Sequence, residues 1–361
     1  MTDPIARGEL EELAAGVLRG AGVAAGDATL TATSLVQADL WGHQSHGVMR
    51  LPWYVARLRT GAMTADAAPE VLIDTGALVL LDAKDGIGQV STDAARALAV
   101  ARAKLHGVGA VGVRNSNHFG TAMFYTRRAA DEGCVAILTT NASPAMAPWG
   151  GREKRLGTNP WSIAAPWRGR VIALDIANTA VARGKVYLAK QRGETIPDYW
   201  ALSEDGQATT DPAAAIAGTI LPMAGHKGYA ISFMMDILSG ALTGSAVGAS
   251  VIGPYEPEGA SGAGHLFIAI DVAALGDVAE YDARVDTIVE EAKTTPLAQG
   301  HERIYHPGEL EDLSEAAALA NGGISLPDAT VADLTTLAEE AGVSTPTGWA
   351  SNARERTESP A

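Results

Sequence analysis

The order of hydrophobic patterns along the chain is the feature that most restricts its fold. Apolar residues recur at helical spacing in GELEELAAGVLRGAG near the start and in ATVADLTTLAEEAGV near the end. Between these stretches, helical patterns alternate with strand-like runs such as GAVGVR, VAILTT and RVIALDIA. This order predicts an α/β (α+β) protein, with a central body built around a mixed sheet and a helical domain formed by both ends of the chain.

The same order places the domain boundaries. Residues 1–70 form the N-terminal part of the predicted helical domain, and residues 275–343 supply the C-terminal helices that pack with it. The central α/β domain spans residues 71–274, within which residues 229–244 are apolar on nearly every side. That pattern predicts a helix buried on most of its faces. The polar stretch 344–361 predicts a disordered tail.

Two glycine-rich motifs bear on nucleotide binding. GVGAVG, residues 107–112, has the G-x-G-x-x-G spacing of the Rossmann fingerprint, but it follows a helical pattern and precedes a strand. The fingerprint requires the opposite order, because phosphate must meet the N-terminus of the following helix. We therefore interpret this motif as a glycine that ends a helix, followed by a closely packed strand. GHKG, residues 225–228, lacks the spacing of a P-loop.

Composition excludes several classes of protein. The formal charge is −15 and no cluster of Lys and Arg supplies the basic face that phosphate groups need, so we expect no nucleic-acid partner. Cys134 is the single cysteine, which rules out an intramolecular disulfide and indicates a reducing compartment. The start of the sequence has no apolar signal region, and no apolar run is long enough to cross a membrane. We expect a cytoplasmic protein.

The segment DLWGHQSHGVMRLPWY is unusually rich in reactive side chains. Its proline is tolerated in the first turn of a helix, which predicts a helix that begins near Val48 or Met49. His46 would then precede a helix N-terminus, whose positive end favours a neutral imidazole. Arg50 and Tyr54, four residues apart, would share one helix face. Such a group suits a site that binds a carboxylate and exchanges a proton; the alternative is a core histidine and a surface arginine.

A second segment, RNSNHFGTAMFY, follows the GAVGV strand directly. The end of a strand opening into a polar loop is a common place for chemistry in α/β proteins. His118 is therefore a second candidate for proton transfer, with Asn115 and Asn117 available to orient it. The alternative is a turn histidine that caps the following helix.

Other segments suit an anionic ligand. GTNPWSIAAP and TTNASPAMAPWGG combine Gly, Asn, Ser and Pro in tight loops whose backbone N–H groups can hold phosphate or ribose oxygens, although ordinary turn chemistry explains them equally well. Arg183, Lys185 and Lys227 stand beside small residues in an otherwise acidic chain. They are candidate anion-binding residues, and the alternative for each is a solvated surface charge.

We expect no metal site. His43, His46, His118 and His226 could bind zinc in principle, but the sequence contains neither an H-E-x-x-H helix nor a Cys-x-x-Cys pair. The G-x-S-x-G elbow of serine hydrolases is also absent.

Seven segments occur in the order found in one known family: GHQSHGVMRL, NHFGTAMFY, GTNP, DIANTAVARGKV, HKGYAISFMMDILSGALTG, GHLFIAID and HPGE. The chain resembles the second, non-Rossmann type of the malate/L-lactate dehydrogenase family over roughly residues 10–342. Relatives in that family include ureidoglycolate dehydrogenase, sulfolactate dehydrogenase, 2,3-diketogulonate reductase and piperideine-2-carboxylate reductase. The resemblance implies a non-Rossmann fold that binds NAD or NADP, and a homodimer with the cofactor near the subunit boundary.

The resemblance also implies a reaction, which is reversible hydride transfer between NAD(P)H and C2 of a small 2-keto acid or a related imine. One side chain must move a proton at the C2 oxygen. Family members differ in whether this is the histidine of SHG, here His46, or that of NHFG, here His118. We favour His118, with His46 and Ser45 orienting the substrate. Arg50 matches the arginine that binds the substrate carboxylate, and Tyr54 matches its companion.

The cofactor-binding positions that the resemblance implies lie in several loops, and we add Arg183 to them for its charge. They are Ser143, Asp175, Ile176, Ala177, Arg183, Lys227, Gly228, Pro307, Gly308 and Glu309. The choice between NAD and NADP stays open, because no acidic ribose-binding residue or arginine for a 2′-phosphate can be placed from the sequence.

The chain departs from the family pattern in three places. Trp41 stands where relatives commonly carry Arg, NASP at 141–144 lacks the basic pair that would suit a ureido substrate, and HPGE lacks its usual charged flanks. We therefore expect a malate- or lactate-type substrate and not ureidoglycolate. The alternatives are a reductase of a cyclic imine or a sugar keto acid on the same fold, and a catalytically silent dinucleotide-binding module. The two histidines and the arginine argue against the silent module.

Overall fold

The centre of the protein is a mixed seven-stranded β-sheet. The computed structural model describes residues 3–346 and Trp349, and in this part of the chain the strand order is β1-β2-β3-β9-β4-β5-β6. Only β2 and β3 pair in parallel; the other neighbours are antiparallel. A separate two-stranded sheet pairs β7 with β8. The strands are β1 Glu70–Asp74, β2 Leu78–Asp82, β3 Val108–Ser116, β4 Cys134–Thr140, β5 Trp161–Trp167, β6 Arg170–Ile176, β7 Ala201–Leu202, β8 Thr219–Ile220 and β9 Ala263–Asp271.

Helices precede, cover and follow the sheet. Helices α4 and α5 pack on the central strands, where their small apolar residues meet those of β3, β4 and β9 in one buried cluster. The helices are α1 Arg7–Gly20, α2 Ala25–Leu40, α3 Leu51–Thr60, α4 Gly88–His106, α5 Met123–Asp131, α6 Arg183–Arg192, α7 Pro212–Ala217, α8 His226–Asp236, α9 Val272–Leu275, α10 Val278–Thr294, α11 Glu309–Ala320 and α12 Asp328–Ala341. The predicted α/β class with a mixed sheet is confirmed.

The two ends of the described chain share a second apolar cluster. Leu10 and Leu35 from the first helices are fully buried beside Leu334 from α12. The backbones of Ile5 and Ile324 exchange two hydrogen bonds of 2.9 Å, which tie the ends together. The proposed division into 1–70, 71–274 and 275–343 stays a prediction. Most of the predicted disordered tail, 344–361, lies outside the described residues. Within it, Trp349 is 6% exposed and packs in this apolar cluster, so the prediction of disorder is wrong at that residue.

Helix α10 lies against the β5–β6 hairpin. The indole Nε1 of Trp167 donates to Asp286 at 2.7 Å, and Arg168 forms an ion pair with the same carboxylate at 2.6 Å. These contacts place α10 beside the sheet edge, whereas α12 packs on α1 and α3.

The GVGAVG motif has the predicted structure. Gly107 ends α4 with a left-handed φ of 81°, and β3 begins at Val108. A Cβ atom on Gly109 would lie 2.1 Å from the carbonyl oxygen of Ala99, so this glycine lets strand and helix approach closely. The interpretation as a helix stop followed by a packed strand is confirmed.

The helix predicted for residues 229–244 is present over most of that range, but its predicted burial on most faces is wrong. The α-helix ends at Asp236 and continues as one π-helical turn, Ile237–Ala241. Phe233, Met234 and Ile237 are 46%, 49% and 39% exposed, so one apolar face is open. The buried face is the polar one, because its side chains bond to neighbouring loops; for example, Ser232 Oγ donates to the carbonyl oxygen of Gly157 at 2.9 Å.

No helix in the described ranges 3–346 and 349 combines the length and the apolar character that a membrane span requires.

Candidate active site

Two polar loops bring the two candidate histidines together. His46 ends a short 3-10 turn, Gln44–His46, and His118 lies between β3 and α5. Their rings stack with centroids 5.7 Å apart and an interplanar angle of 21°. Because the two loops are separated by α3, β1, β2, α4 and β3 in the chain, only the fold creates this pair.

A second 3-10 turn, Val48–Arg50, follows the loop, and α3 itself begins at Leu51. The predicted helix start near Val48 or Met49 is therefore early by two or three residues, because the chain first forms the tighter turn. Arg50 occupies the N-cap position of α3. Its side chain folds back, and Nε donates to the carbonyl oxygen of Ser45 at 2.6 Å.

The loop that carries His46 rests on a buried carboxyl group. Asp39 accepts a hydrogen bond from the backbone N–H of Val48 at 2.9 Å. A Cβ atom on Gly47 would lie 2.0 Å from an Asp39 oxygen, so Asp39 fits only beneath a glycine. Within the loop, Ser45 Oγ and His46 Nδ1 are 2.9 Å apart. These contacts fix the orientation of the His46 ring.

Both histidines are neutral near pH 7. Burial lowers the pKa of His46 to about 3, and the charges of Arg50 and His43 add to this effect. Burial, His46 and Arg50 hold the pKa of His118 well below its ordinary value. An anion bound to Arg50 would offset part of this repulsion. The pair can therefore supply neutral imidazole groups beside a positive charge.

Arg50 packs against aromatic side chains that the sequence analysis did not identify as part of the site. Its guanidinium carbon lies 4.0 Å from the ring centroid of Trp53, and Trp53 meets Tyr255 edge-on at 5.9 Å. The hydroxyl of Tyr255 is 3.3 Å from Ser143 Oγ. These contacts connect Ser143, a predicted cofactor residue, to the predicted carboxylate-binding arginine.

Tyr54 contacts His118. Its hydroxyl lies 2.6 Å from His118 Nδ1 and accepts a hydrogen bond from Gln89 Nε2 at 3.0 Å. Tyr54 is fully buried. The amide groups of Asn115 and Asn117, expected to orient His118, bond to other partners: Asn115 to Asp82, and Asn117 to Arg57 and to backbone carbonyls.

The predicted cofactor residues of β6 and HPGE lie side by side. Asp175 is at the end of β6, followed by Ile176 and Ala177, and it accepts a hydrogen bond from the backbone N–H of Met123 at 2.9 Å. The carbonyl oxygen of Pro307 accepts from Ala173 N at 3.2 Å, which places Gly308 against the same strand.

Glu309 is engaged in an ion-pair cluster. It bonds to Lys293 at 2.8 Å, to Arg303 and to the backbone N–H of His306 at 3.0 Å. Burial opposes ionisation, but Lys293 and His306 lower the pKa of Glu309 to about 2. Its carboxylate therefore anchors HPGE to α10.

The other predicted cofactor residues begin two helices. Arg183 is the first residue of α6, and a Cβ atom on Gly184 would lie 3.5 Å from Ser45 Cβ, so this helix start faces the His46 loop. Lys227 is exposed in the first turn of α8. Gly228 packs against the carbonyl oxygens of Met223 and Asn178.

The start of α8 has the donor set that suits a phosphate group. Gly225 precedes the helix with a φ of 65° and provides no side-chain cap. The N–H of Gly228 already donates to the carbonyl oxygen of Met223 at 2.9 Å. The N–H groups of His226 and Lys227, the positive helix end and the Lys227 ammonium together favour an anion. The residues present thus fit the pyrophosphate of a dinucleotide. In the same described part, no three His, Cys, Asp or Glu side chains lie close enough together to hold a metal ion.

Comparison with known proteins agrees with these features. Residues 5–335 match the family model described as malate/L-lactate dehydrogenase. L-Sulfolactate dehydrogenase of Methanothermobacter thermautotrophicus is 40% identical over 293 residues, 81% of this chain and 84% of that protein. (2R)-3-Sulfolactate dehydrogenase (NADP(+)) of Chromohalobacter salexigens is 39% identical over 323 residues, 88% of this chain and 96% of that protein. The solved structure of the Methanocaldococcus jannaschii sulfolactate dehydrogenase superposes with a TM-score of 0.89 at 37% identity, covering 94% of this chain and 98% of that one.

Fold and site together define an oxidoreductase that acts on a CH–OH group. The chain belongs to the malate/L-lactate dehydrogenase family, which confirms the predicted resemblance. Other named relatives are malate dehydrogenases, ureidoglycolate dehydrogenases and a piperideine-2-carboxylate reductase.

Proposed function

We propose that the protein transfers a hydride reversibly between a nicotinamide cofactor and C2 of a small 2-hydroxy acid or 2-keto acid of the malate or lactate type. The observation that carries this proposal is the stacked His46–His118 pair beside Arg50. This arrangement places groups that can transfer a proton beside a cation that can bind a carboxylate. The names of the relatives, which include sulfolactate and malate dehydrogenases, support a substrate of this class.

In this proposal Arg50 binds the substrate carboxylate, which fixes C2 beside the histidines. His118 moves the proton at the C2 oxygen, while His46 and Ser45 orient the substrate. Tyr54 supports His118 through its hydroxyl group. His46 and His118 are both partly buried, and such surroundings strengthen polar contacts relative to open water.

The cofactor is NAD or NADP, as the resemblance predicted: one relative carries NADP(+) in its name and another NAD(+). When bound, the nicotinamide supplies or accepts the hydride. The start of α8 with Lys227 would hold the phosphates, and the end of β6 at Asp175–Ala177, with Ser143, would line the rest of the site. Arg183 and the segment Pro307–Glu309 complete the proposed set.

We also propose that the protein is a cytoplasmic homodimer. The resemblance implies a dimer. The apolar face formed by α8 and the π-helical turn that follows it, with Phe233, Met234 and Ile237, is exposed in one chain. Burying such a face against a second copy would remove apolar surface from water. Cys134, the single cysteine, is buried, which suits a reducing compartment.

The Arg50→Gln variant tests the proposed carboxylate contact. Loss of a charge-assisted hydrogen bond costs about 1.5–3 kcal/mol, so we expect KM for the keto acid to rise about tenfold to a hundredfold. KM for the nicotinamide cofactor should change little. Steady-state kinetics with each substrate varied in turn separates the two effects.

Arg59→Gln is the matched control, because Arg59 lies on the same helix, is exposed and pairs with Glu340 at 2.6 Å. It should keep the wild-type KM. Equal KM values for the keto acid in Arg50→Gln and in wild type would refute the proposed role of Arg50.

A further inference from the structure

Two hydrogen-bonding groups lie within hydrogen-bond distance of the Nδ1 atom of His118. The backbone N–H of Gly120 points at Nδ1 across 3.3 Å, and the hydroxyl of Tyr54 lies 2.6 Å from the same atom. Gly120 has a φ of 83°, a left-handed conformation that glycine adopts at little cost. The glycine of the NHFG motif thus turns its N–H back onto the histidine that precedes it by two residues.

The direction of these bonds follows from the donors. A backbone N–H can only donate, so Nδ1 must offer its lone pair to Gly120. The Tyr54 hydroxyl must then also donate to Nδ1. Its oxygen keeps lone pairs free to accept the amide N–H of Gln89 at 3.0 Å. The chain of donors therefore runs from Gln89 to Tyr54 to His118.

We propose that Gly120, Tyr54 and Gln89 hold neutral His118 as the tautomer that carries its proton on Nε2. The ring then presents an N–H donor, and not a lone pair, to the site. Gln89 acts through Tyr54 and is a positioning residue. The meaning of this tautomer for catalysis rests on the proposed dehydrogenase function, but the tautomer itself does not.

Burial supports the neutral form, because it lowers the pKa of His118 well below its ordinary value. A neutral imidazole N–H can polarise a carbonyl group. An Nε2–H donor therefore matches the C2 carbonyl oxygen of a 2-keto acid. When hydride reaches C2 and that oxygen takes the Nε2 proton, a proton from solvent must reach Nδ1 to keep the ring neutral. To accept a proton from a 2-hydroxy acid, Nε2 must lose its hydrogen and Nδ1 must gain one. Tyr54 would then turn its hydroxyl to the carbonyl oxygen of His118, 3.4 Å away.

The direct test is nitrogen NMR of the full chain labelled with ¹⁵N-histidine, without substrate or cofactor. Signals of His118 are identified by their absence from a His118→Asn variant. We expect a protonated Nε2 and an unprotonated Nδ1 that do not change between pH about 6 and 8. A proton on Nδ1, or equal populations of both tautomers, would overturn the proposal.

Two variants test the donors. Tyr54→Phe removes the hydroxyl donor, and we expect a measurable population of the Nδ1–H tautomer. Gln89→Glu offers the Tyr54 hydroxyl an acceptor, which should reverse the chain and move the His118 proton to Nδ1. If both variants keep the wild-type ¹⁵N shifts, Tyr54 and Gln89 do not set the tautomer.

Ser232→Ala is the control. It removes a fully buried hydroxyl that donates to the carbonyl oxygen of Gly157 at 2.9 Å, in a segment that holds none of the proposed donors. It should leave the His118 shifts unchanged, and a change there would mean that the shifts report general damage. In kinetics, Tyr54→Phe should lower kcat for keto-acid reduction by about tenfold or more without changing KM for the cofactor.

The outcomes for tautomer and function are separable. Wild-type protein with the expected tautomer but no turnover of any 2-keto acid would refute only the proposed function. Active protein with the proton on Nδ1 would refute only the tautomer.

Discussion

Burial raises the pKa of Asp39 to about 8 from an ordinary 3.8, although the N–H of Val48 donates to its carboxyl group. The folded protein therefore binds a proton that the unfolded chain releases above pH 3.8. The stability that this group contributes is complete below that pH and is lost as the pH rises through about 8. Since Asp39 lies beneath the His46 loop, its ionisation acts directly under the site.

The Asp39→Asn variant should remove this dependence. We expect the free energy of unfolding of wild type, relative to the variant, to fall by at least about 1–2 kcal/mol between pH about 4 and 8. Urea denaturation at a series of pH values measures the difference. Buried His46 and His265, whose pKa values are lowered to about 3, have the opposite trend, but they are present in both proteins and cancel. Parallel stability curves would contradict this account.

Single residues could be predicted where the sequence concentrates unusual chemistry. His46, Arg50 and His118 stand in short polar segments that no helix or strand pattern requires, and the structure brings them together. Gln89 and Tyr255 could not be found in this way. They lie in unrelated segments, and only long-range folding places Gln89 beside Tyr54 or Tyr255 beside Ser143.

At the scale of elements, periodicity predicted most strands and most helices. It missed β5, because GTNPWSIAAP was interpreted as a tight loop, and it did not predict which face of α8 is buried. The buried face is polar because its hydrogen bonds are specific: Asp236 accepts from the amide of Asn141 at 2.9 Å, and Ser239 lies 2.8 Å from Thr139. The number of apolar residues in a segment carries no information about the hydrogen-bond partners of its polar side chains. Because these hydrogen bonds hold the polar face of α8 against the protein, its apolar face points outward.

That outward face gives a prediction about assembly. Replacing both Phe233 and Ile237, four residues apart, with Glu should place charges on the proposed dimer surface and yield a monomer. Light scattering after size-exclusion chromatography measures the mass. Leu319→Glu, on α11 and 50% exposed, is the control and should remain dimeric. A monomeric wild type, or a double variant that stays dimeric, would show that this face is not the interface.

At the scale of the whole molecule, the fold brings separate loops together at one candidate site. The order of hydrophobic patterns predicted the class of fold, and the reversed glycine motif predicted that the nucleotide site is not of the Rossmann type. The sequence could not show which segments lie close together in space. The His46 loop, the His118 loop and the start of α6 come from three separated parts of the chain. In the structure, Gly184 at the start of α6 and Ser45 in the His46 loop are neighbours.

The most direct test of the proposed function is to follow the hydride itself. The purified protein is given 2-keto acids such as oxaloacetate and pyruvate with NADH or NADPH that carries deuterium in place of both hydrogens at C4 of the nicotinamide. We predict a 2-hydroxy acid with one deuterium at C2, detected by mass spectrometry and by loss of the C2 proton signal in NMR. Oxidised cofactor without deuterium in the product, or no product from any 2-keto acid, would contradict the account.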